Sequence, residues 1–448
     1  MTKLSERQIA LLKHTFIDFQ QTSEFLKNPL IIDRADGLYY WDTTGKKYFD
    51  AIGGIFVAIL GHRHPKLMAA MQSQMEKITF APPLHGTTNV TLDFIEKLAG
   101  VTPGNLNYVK PFSGGSEAIE CAIKFVRQYF KQTGYPHKYK FISRYYGYHG
   151  GTYGAMAASG TGVRKTKFEP QMAGFLKVFP PNYYRDRFDT WEACNQFSAQ
   201  AFEDVIVHED PSTVAGVIVE PVGNTGGIIT PTDEYFNILR NICNRHNVVL
   251  IFDEVITGIA KTGAMFAAQK FGVTPDIICC GKGISSGMVP LGAMIAREDM
   301  ADAFYGMPED DIQFAHGHTF AGNPLASAVG IAVLDEIIDN HLADKAQSLG
   351  EYLVEKLQKL LSFGVVREIR GKGILRGIEL VRDTRSMEPF PELGTAFKTC
   401  ALKNGLILRV DPTWFAVAPP LIAEKSDIDE MCQRIEQSLA DAMEMVGA

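Results

Sequence analysis

The chain has 448 residues, 46% of them apolar and 21% charged, a profile that excludes a disordered or fibrous protein. Lys and Arg total 44 against 51 Asp and Glu, a formal net charge of −7, so it lacks the basic field that nucleic acid or an anionic membrane surface needs. No apolar run is long enough to span a bilayer, and 7 cysteines without CxxC spacing suit neither a disulfide framework nor a zinc site.

The length implies about two or three domain-sized units, and no Gly/Ser-rich linker separates them. At the N-terminus, MTKLSERQIALLKHTFIDF mixes acids with bases and lacks the apolar core of a signal peptide. It reads as an amphipathic helix, and a reducing, cytoplasmic location is expected. Residues 37–50, GLYYWDTTGKKYFD, alternate aromatic and polar positions around a Thr-Gly turn, which predicts a hairpin with arms at 39–41 and 47–49. Between about 85 and 300, apolar runs at 214–222, 247–255 and 275–283 alternate with longer helical stretches. Runs without period-2 polarity are strands buried on both faces, as in a parallel sheet covered by helices. The pattern over 324–361 predicts one long helix. VVREIRG and ILRGIELV then read as strands, and SDIDEMCQRIEQSLADAME as a last helix capped by Ser426. The fold class is therefore α/β. A large domain at 61–325 carries a mostly parallel sheet, and 1–60 with 326–448 form a smaller α+β domain.

Three central strands end in reactive groups: Glu220 after VAGVIV, Asp253 after VVLIF, and Lys282 after PDIICCG. In open α/β sheets ligands bind beyond the carboxyl ends of the strands. Any one carboxylate there could simply cap the next helix. Three such groups on successive elements, with the lysine between Gly281 and Gly283, call for a ligand. Upstream, PFSGGSEAIECAIKFV (111–126) runs a glycine-rich turn into an amphipathic helix. Such a turn is either a phosphate cradle or a capping box built on Ser113 or Ser116. It has neither the P-loop lysine nor the G-x-G-x-x-G of a nicotinamide-binding fold. A lysine, an acid and a phosphate cradle together match pyridoxal 5′-phosphate, which needs an amine for its Schiff base and an acid beside its ring nitrogen. The segment RYYGYHGGTYGAMAASG (144–160) offers aromatics to stack on that ring.

On these residues the chain resembles the class III aminotransferases of the fold-type I pyridoxal-phosphate family. The most specific stretch is DEVITGIAKTGAMFAAQKFGVTPDIICCGKG (253–283). GHRHP (61–65), SGGSEA (113–118), YHGGT (148–152), EPV (220–222) and HTFAGNPLA (318–326) stand in the family's order. The resemblance implies that Lys282 forms the Schiff base and then acts as general base, and that Asp253 pairs with the pyridinium nitrogen. It puts Tyr148 and Val255 on the two faces of the ring, His149 beside Asp253, and Glu220 at the cofactor. Gly115 and Ser116 would bind the phosphate, and Thr319 the phosphate of the neighbouring subunit. A homodimer with shared active sites follows, with a tetramer left open. His62/His64 and His316/His318 have no third ligand at suitable spacing, so no metal is expected.

Ile256 stands where ornithine- and 4-aminobutyrate-type enzymes have glutamine, as in the amine:pyruvate (ω-amino) subgroup. Arg409 matches that subgroup's mobile arginine, whose planar fork suits a substrate carboxylate. Phe56 would wall the pocket, and Leu84 with Pro83 would close it from the partner. Two positions depart from the family: Ser113-Gly114 replaces Asn-Ser, and Lys261 replaces an arginine. The implied activity is ping-pong transamination from an ω-amino acid or primary amine to a keto acid such as pyruvate. An aminomutase or decarboxylase on the same scaffold is the alternative.

Overall fold

A computed structural model describes residues 4–27 and 29–448. The chain opens with a short helix, Glu6–Leu12, capped by Ser5 Oγ, which accepts the Gln8 N–H at 3.2 Å. Strands β1 (Ile32–Asp36), β2 (Tyr39–Asp42) and β3 (Lys47–Asp50) form an antiparallel meander. The hairpin predicted at 37–50 is its second half. Strands β4 (Leu106–Phe112), β5 (Lys140–Arg144), β6 (Phe175–Val178), β7 (Val214–Val219), β8 (Val249–Asp253), β9 (Ile277–Cys280) and β10 (Gly292–Arg297) make a seven-stranded sheet ordered β4-β10-β9-β8-β7-β5-β6. Its β9-β8-β7-β5-β6 part is parallel, and β10 runs antiparallel to both neighbours. The chain ends with β11 (Val366–Lys372), β12 (Leu375–Leu380), β13 (Leu406–Ile407), β14 (Arg409–Asp411) and β15 (Trp414–Val417).

Every residue of β7, β8 and β9 is buried. Because successive side chains face opposite ways, each strand feeds two cores. Val217, Leu250, Phe252 and Ile278 join one, while Ile218, Val249, Ile251 and Ile277 join the other. A side chain of this kind contributes about 1.5–3 kcal/mol when fully buried, so the centre of the sheet is rigid. Helix Gly115–Gln132 covers the second face with Ile119, Ile123, Phe125 and Val126. Helix Asp233–Arg245 covers the first with Phe236, Leu239 and Ile242.

Strand β13 pairs parallel with β3, Leu406 opposite Phe49, and so joins the C-terminal segment to the N-terminal meander. Strands β11-β12-β15-β14 form a third, antiparallel sheet. The single helix expected over 324–361 is two, Pro324–Asp339 and Leu342–Leu357, followed by a 3-10 turn. Asn340 causes the break: its Nδ2 donates back to Glu336 O at 3.0 Å, and His341 then turns left-handed at φ 50°. The last helix, Lys425–Val446, starts at Glu424 rather than Ser426. Asp427 Oδ2 accepts the Glu424 N–H at 2.8 Å and fixes the earlier start. Among the described residues, no helix is long and apolar enough to cross a membrane.

Candidate active site

The carboxyl ends of β4, β5, β7, β8 and β9 open on one cavity of about 310 Å³. Asp253 is the last residue of β8, 4% exposed. Its Oδ2 lies 2.7 Å from His149 Nδ1, and its Oδ1 accepts the Val255 N–H at 3.1 Å. The imidazole is buried and its own backbone N–H donates to Ser159 Oγ at 2.8 Å. The loop after β5 thus delivers His149 to the acid at the end of β8.

Glu220 follows β7 and is also buried. One carboxylate oxygen accepts the Tyr148 N–H and the other the Asn224 N–H, both at 2.9 Å. Glu220 thereby fastens the backbone of Tyr148, whose side chain lines the cavity. Burial raises the Glu220 carboxyl, His149 opposes the shift, and the charge of Asp253 adds to it.

Lys282 lies just past β9 and holds a left-handed backbone at φ 47°, a strain of about 1–3 kcal/mol that an L side chain carries mainly at functional positions. Burial pushes its amine down, the charges of Asp253 and Glu220 push it up, and those of Arg409 and Arg164 push it down again. The balance is downward, which raises the fraction of free amine available as nucleophile or base.

The loop after β4 leads into helix Gly115–Gln132. Gly114 is its N-cap and no side chain caps it, so neither Ser113 nor Ser116 forms the alternative capping box. Ser113 N–H donates to Glu117 Oε2 at 2.9 Å, and Ser116 Oγ accepts the Gly151 N–H at 3.2 Å. First-turn N–H groups without intrahelical partners, at the positive end of the helix dipole, face the cavity rim. Gly115 is required there by space: a Cβ would fall 2.7 Å from Val255 Cγ2. An uncapped helix start, an amine pushed down by burial and a buried carboxylate fit the phosphate, aldehyde and ring nitrogen of pyridoxal 5′-phosphate.

Gly115, Ser116, Tyr148, His149, Glu220, Asp253, Val255, Ile256 and Lys282, all expected from the sequence, line this cavity. Five other expected residues lie elsewhere. Phe56 is 1% exposed and packed in the core, while its neighbour Val57 supplies the wall. Arg409 is half-buried on β14 and bound to Asp411. Pro83, Leu84 and Thr319 share a separate open cleft of about 650 Å³ with Phe80, His316 and His318. Asn224, Thr225 and Ser285 also line the cavity and were not singled out in the sequence. The paired glycines after EPVGNT were the available signal for the first two. Glu254 was missed as well. Wholly buried, it is pushed up to about 7 by burial and accepts the Ala267 and Ala268 N–H groups at 2.7 and 2.8 Å, bracing the turn after Asp253.

Residues 21–439 match the family described as aminotransferase class-III. A probable aminotransferase of Mycobacterium tuberculosis is 37% identical over 439 residues, covering 96% of this chain and 93% of that protein. Among solved structures, a thermostable (S)-enantioselective omega-transaminase from Thermomicrobium roseum superposes with a TM-score of 0.94 at 33% identity, over 99% of this chain and 100% of that one. An amine transaminase from an uncultivated Pseudomonas species, solved in its PLP-bound form, gives 0.90 at 31% identity, over 95% and 98%. The match spans nearly the whole chain. This protein therefore belongs to the class III aminotransferases of the α/β fold-type I, with pyridoxal 5′-phosphate as its cofactor and an amine donor and a keto acid as its substrates.

Proposed function

We propose that the enzyme moves an amino group from an ω-amino acid or primary amine to a keto acid such as pyruvate, in two half-reactions at the cavity beyond β7, β8 and β9. The observation that carries this reading is the placing of Lys282, Asp253 and His149 around one cavity, with Asp253 and His149 in contact at 2.7 Å. When bound, pyridoxal 5′-phosphate supplies an aldehyde that condenses with primary amines and a ring that takes up the electron pair of an ionised C–H bond. Lys282 Nζ would hold the aldehyde carbon and would afterwards carry the proton away from the substrate carbon. Asp253 would keep a proton on the ring nitrogen, and His149, 2.7 Å from it, fixes that carboxylate. Val255 and Tyr148 would pack against the ring, and Gly115 and Ser116 at the helix start would hold the phosphate. Ile256 supplies an apolar wall, and Arg409 takes a substrate carboxylate once it leaves Asp411.

The reading includes a homodimer in a reducing, cytoplasmic setting, with Leu84 and Thr319 of each subunit completing the site of the other. In support, Leu84 is 92% exposed, Phe320 59% and Phe80 42%, around the cleft that holds Thr319. Contiguous apolar surface of this kind marks a covered face. The two-part division, with 61–325 as the larger unit, belongs to the same reading. Visible absorbance tests the chemistry: the yellow holoenzyme should bleach with a suitable amine and recover with pyruvate. Lys282→Ala should lose multiple turnover altogether; normal turnover in that variant would refute the role of Lys282. Bleaching that no keto acid reverses would refute transamination as the reaction.

A further inference from the structure

Arg164 lies beside Tyr148, within reach of the charge of Arg409. Arg409 donates from Nε and Nη2 to the same atom, Asp411 Oδ2, at 3.0 and 2.7 Å, and its guanidinium lies 5.3 Å from the Trp414 ring. Arg164 comes from a distant part of the sequence, the 3-10 turn Gly162–Arg164. Its guanidinium carbon lies 4.2 Å from the centre of the Phe19 ring and 4.8 Å from that of Tyr148. Half-buried, Arg164 feels the like charge of Arg409 and the opposite charge of Asp411. Both arginine charges also reach the Lys282 amine.

Three properties of this cluster point to an anionic ligand. Asp411 Oδ2 is taken up by Arg409, and among the described residues Arg164 has no ion-pair partner of its own, so a positive charge is left against Tyr148, which lines the cavity. Phe19 and Tyr148 flank the Arg164 guanidinium, and its five N–H groups exceed the one side-chain hydrogen bond it makes to Tyr148, so donors are left to bind an acid. A half-buried cation that lacks its own counter-ion is costly, and an entering oxoanion with charge-assisted hydrogen bonds relieves that cost. Geometry sets where the anion sits on the substrate. The amine end must reach Lys282, so an acid held at Arg164 is remote from the reacting carbon.

We infer that Arg164 is a second acid-binding residue, which takes the distal carboxylate or sulfonate of an ω-amino acid donor and makes such donors preferred over neutral amines. The inference rests on the transamination reading above and narrows its donor. Arg409 remains the group for the acid next to the reacting carbon of the keto substrate. A structural role for Arg164 in anchoring the Phe19 segment would instead affect every donor alike.

The test uses wild-type holoenzyme, R164Q and R164K in single-turnover mode. The donors are 3-aminopropanoate, 2-aminoethanesulfonate and benzylamine, followed at the cofactor absorbance. Dissociation constants of the unreactive propanoate and ethanesulfonate are read separately, from the shift they impose on the same spectrum. In R164Q, apparent affinity for the amino acids and the inert anions should fall by about tenfold or more. Benzylamine should be unaffected and R164K should recover part of the loss. A loss confined to carboxylates, or to sulfonates, supports the inference and names the acid. Equal losses for benzylamine and the amino acids, or anion affinities unchanged in R164Q, would overturn it. A wild type that reacts with benzylamine but with neither amino acid overturns it too, whether or not R164Q folds, and leaves transamination standing. A wild type inert toward all three brings down both.

Discussion

Lys261 is 1% exposed, and its ammonium donates to the Phe56 carbonyl at 2.7 Å. That contact holds the left-handed turn at Phe56, φ 66°, which sets Val57 in the cavity wall. Burial first, and then the like charge of Lys282, push its amine from 10.5 down to about 7. The consequence for stability has a definite sign. Between these two values the unfolded chain holds a proton that the folded protein has released, so stability rises with pH. Below about 7 both states are protonated and the burial cost is present in full. Urea titrations of wild type and Lys261→Met should therefore diverge in favour of wild type from pH 7 to 10, by at most about 1.4 kcal/mol per pH unit. Parallel curves would mean that Lys261 stays charged inside the protein. At this scale Asp253, Glu220 and Lys282 were readable because each stands at or just past the end of an apolar strand. Arg164 was not, because a loop arginine looks like any solvated charge until Phe19 and Tyr148 are seen against it.

Among the elements, helix Gly115–Gln132 links sheet and site most directly. Its first residue touches Val255: a Cβ on Gly115 would lie 2.7 Å from Cγ2 and 2.9 Å from Cγ1. Valine is stiff at χ1 and cannot swing aside, so a methyl group there has to push the helix start off the end of β8. Gly115→Ala should cost about 1–3 kcal/mol of stability, the usual effect of overpacking. It should also weaken cofactor retention, because the displaced N–H groups are those proposed to hold the phosphate. Thermal denaturation and titration of apoenzyme with pyridoxal phosphate measure the two effects. A variant that binds the cofactor as wild type does would remove this helix start from the phosphate site. The elements themselves were legible in proportion to their contrast. The buried runs of β7, β8 and β9 and the 39–50 hairpin stand out from their flanks. The break at Asn340 lies between two stretches of equal helical character and turns on one back-bonded side chain, which periodicity does not register. Ser426 misled for a similar reason: serine is a favoured cap, yet the Asp427–Glu424 contact starts the helix two residues earlier.

For the whole molecule, the open question is what a single chain leaves incomplete. The cavity beyond β9 contains Lys282 and Asp253 but not Thr319 or Leu84, which lie in a different cleft lined by exposed Phe80, whose ring packs 6.0 Å from that of exposed Phe320. Sequence resemblance put all four in one site, and that holds only if a second copy supplies the last two. A two-fold dimer does so reciprocally, since the same patch serves both subunits. Mixed dimers test this without reference to the natural donor. On the proposed roles, Lys282→Ala should disable the site on its own subunit, and Thr319→Asp should set a negative charge against the phosphate in the partner's site. In a heterodimer of the two variants, one site then carries both defects and the other carries neither. Co-expression with different affinity tags, followed by tandem purification, isolates that species. Each homodimeric variant should be nearly inactive, whereas the heterodimer should regain about half the wild-type activity per dimer, one intact site of two. Unpurified random mixtures should regain about a quarter. If each site is built from one chain, the heterodimer instead carries one defect in each site and stays inactive, and a monomer in sedimentation would rule out shared sites altogether.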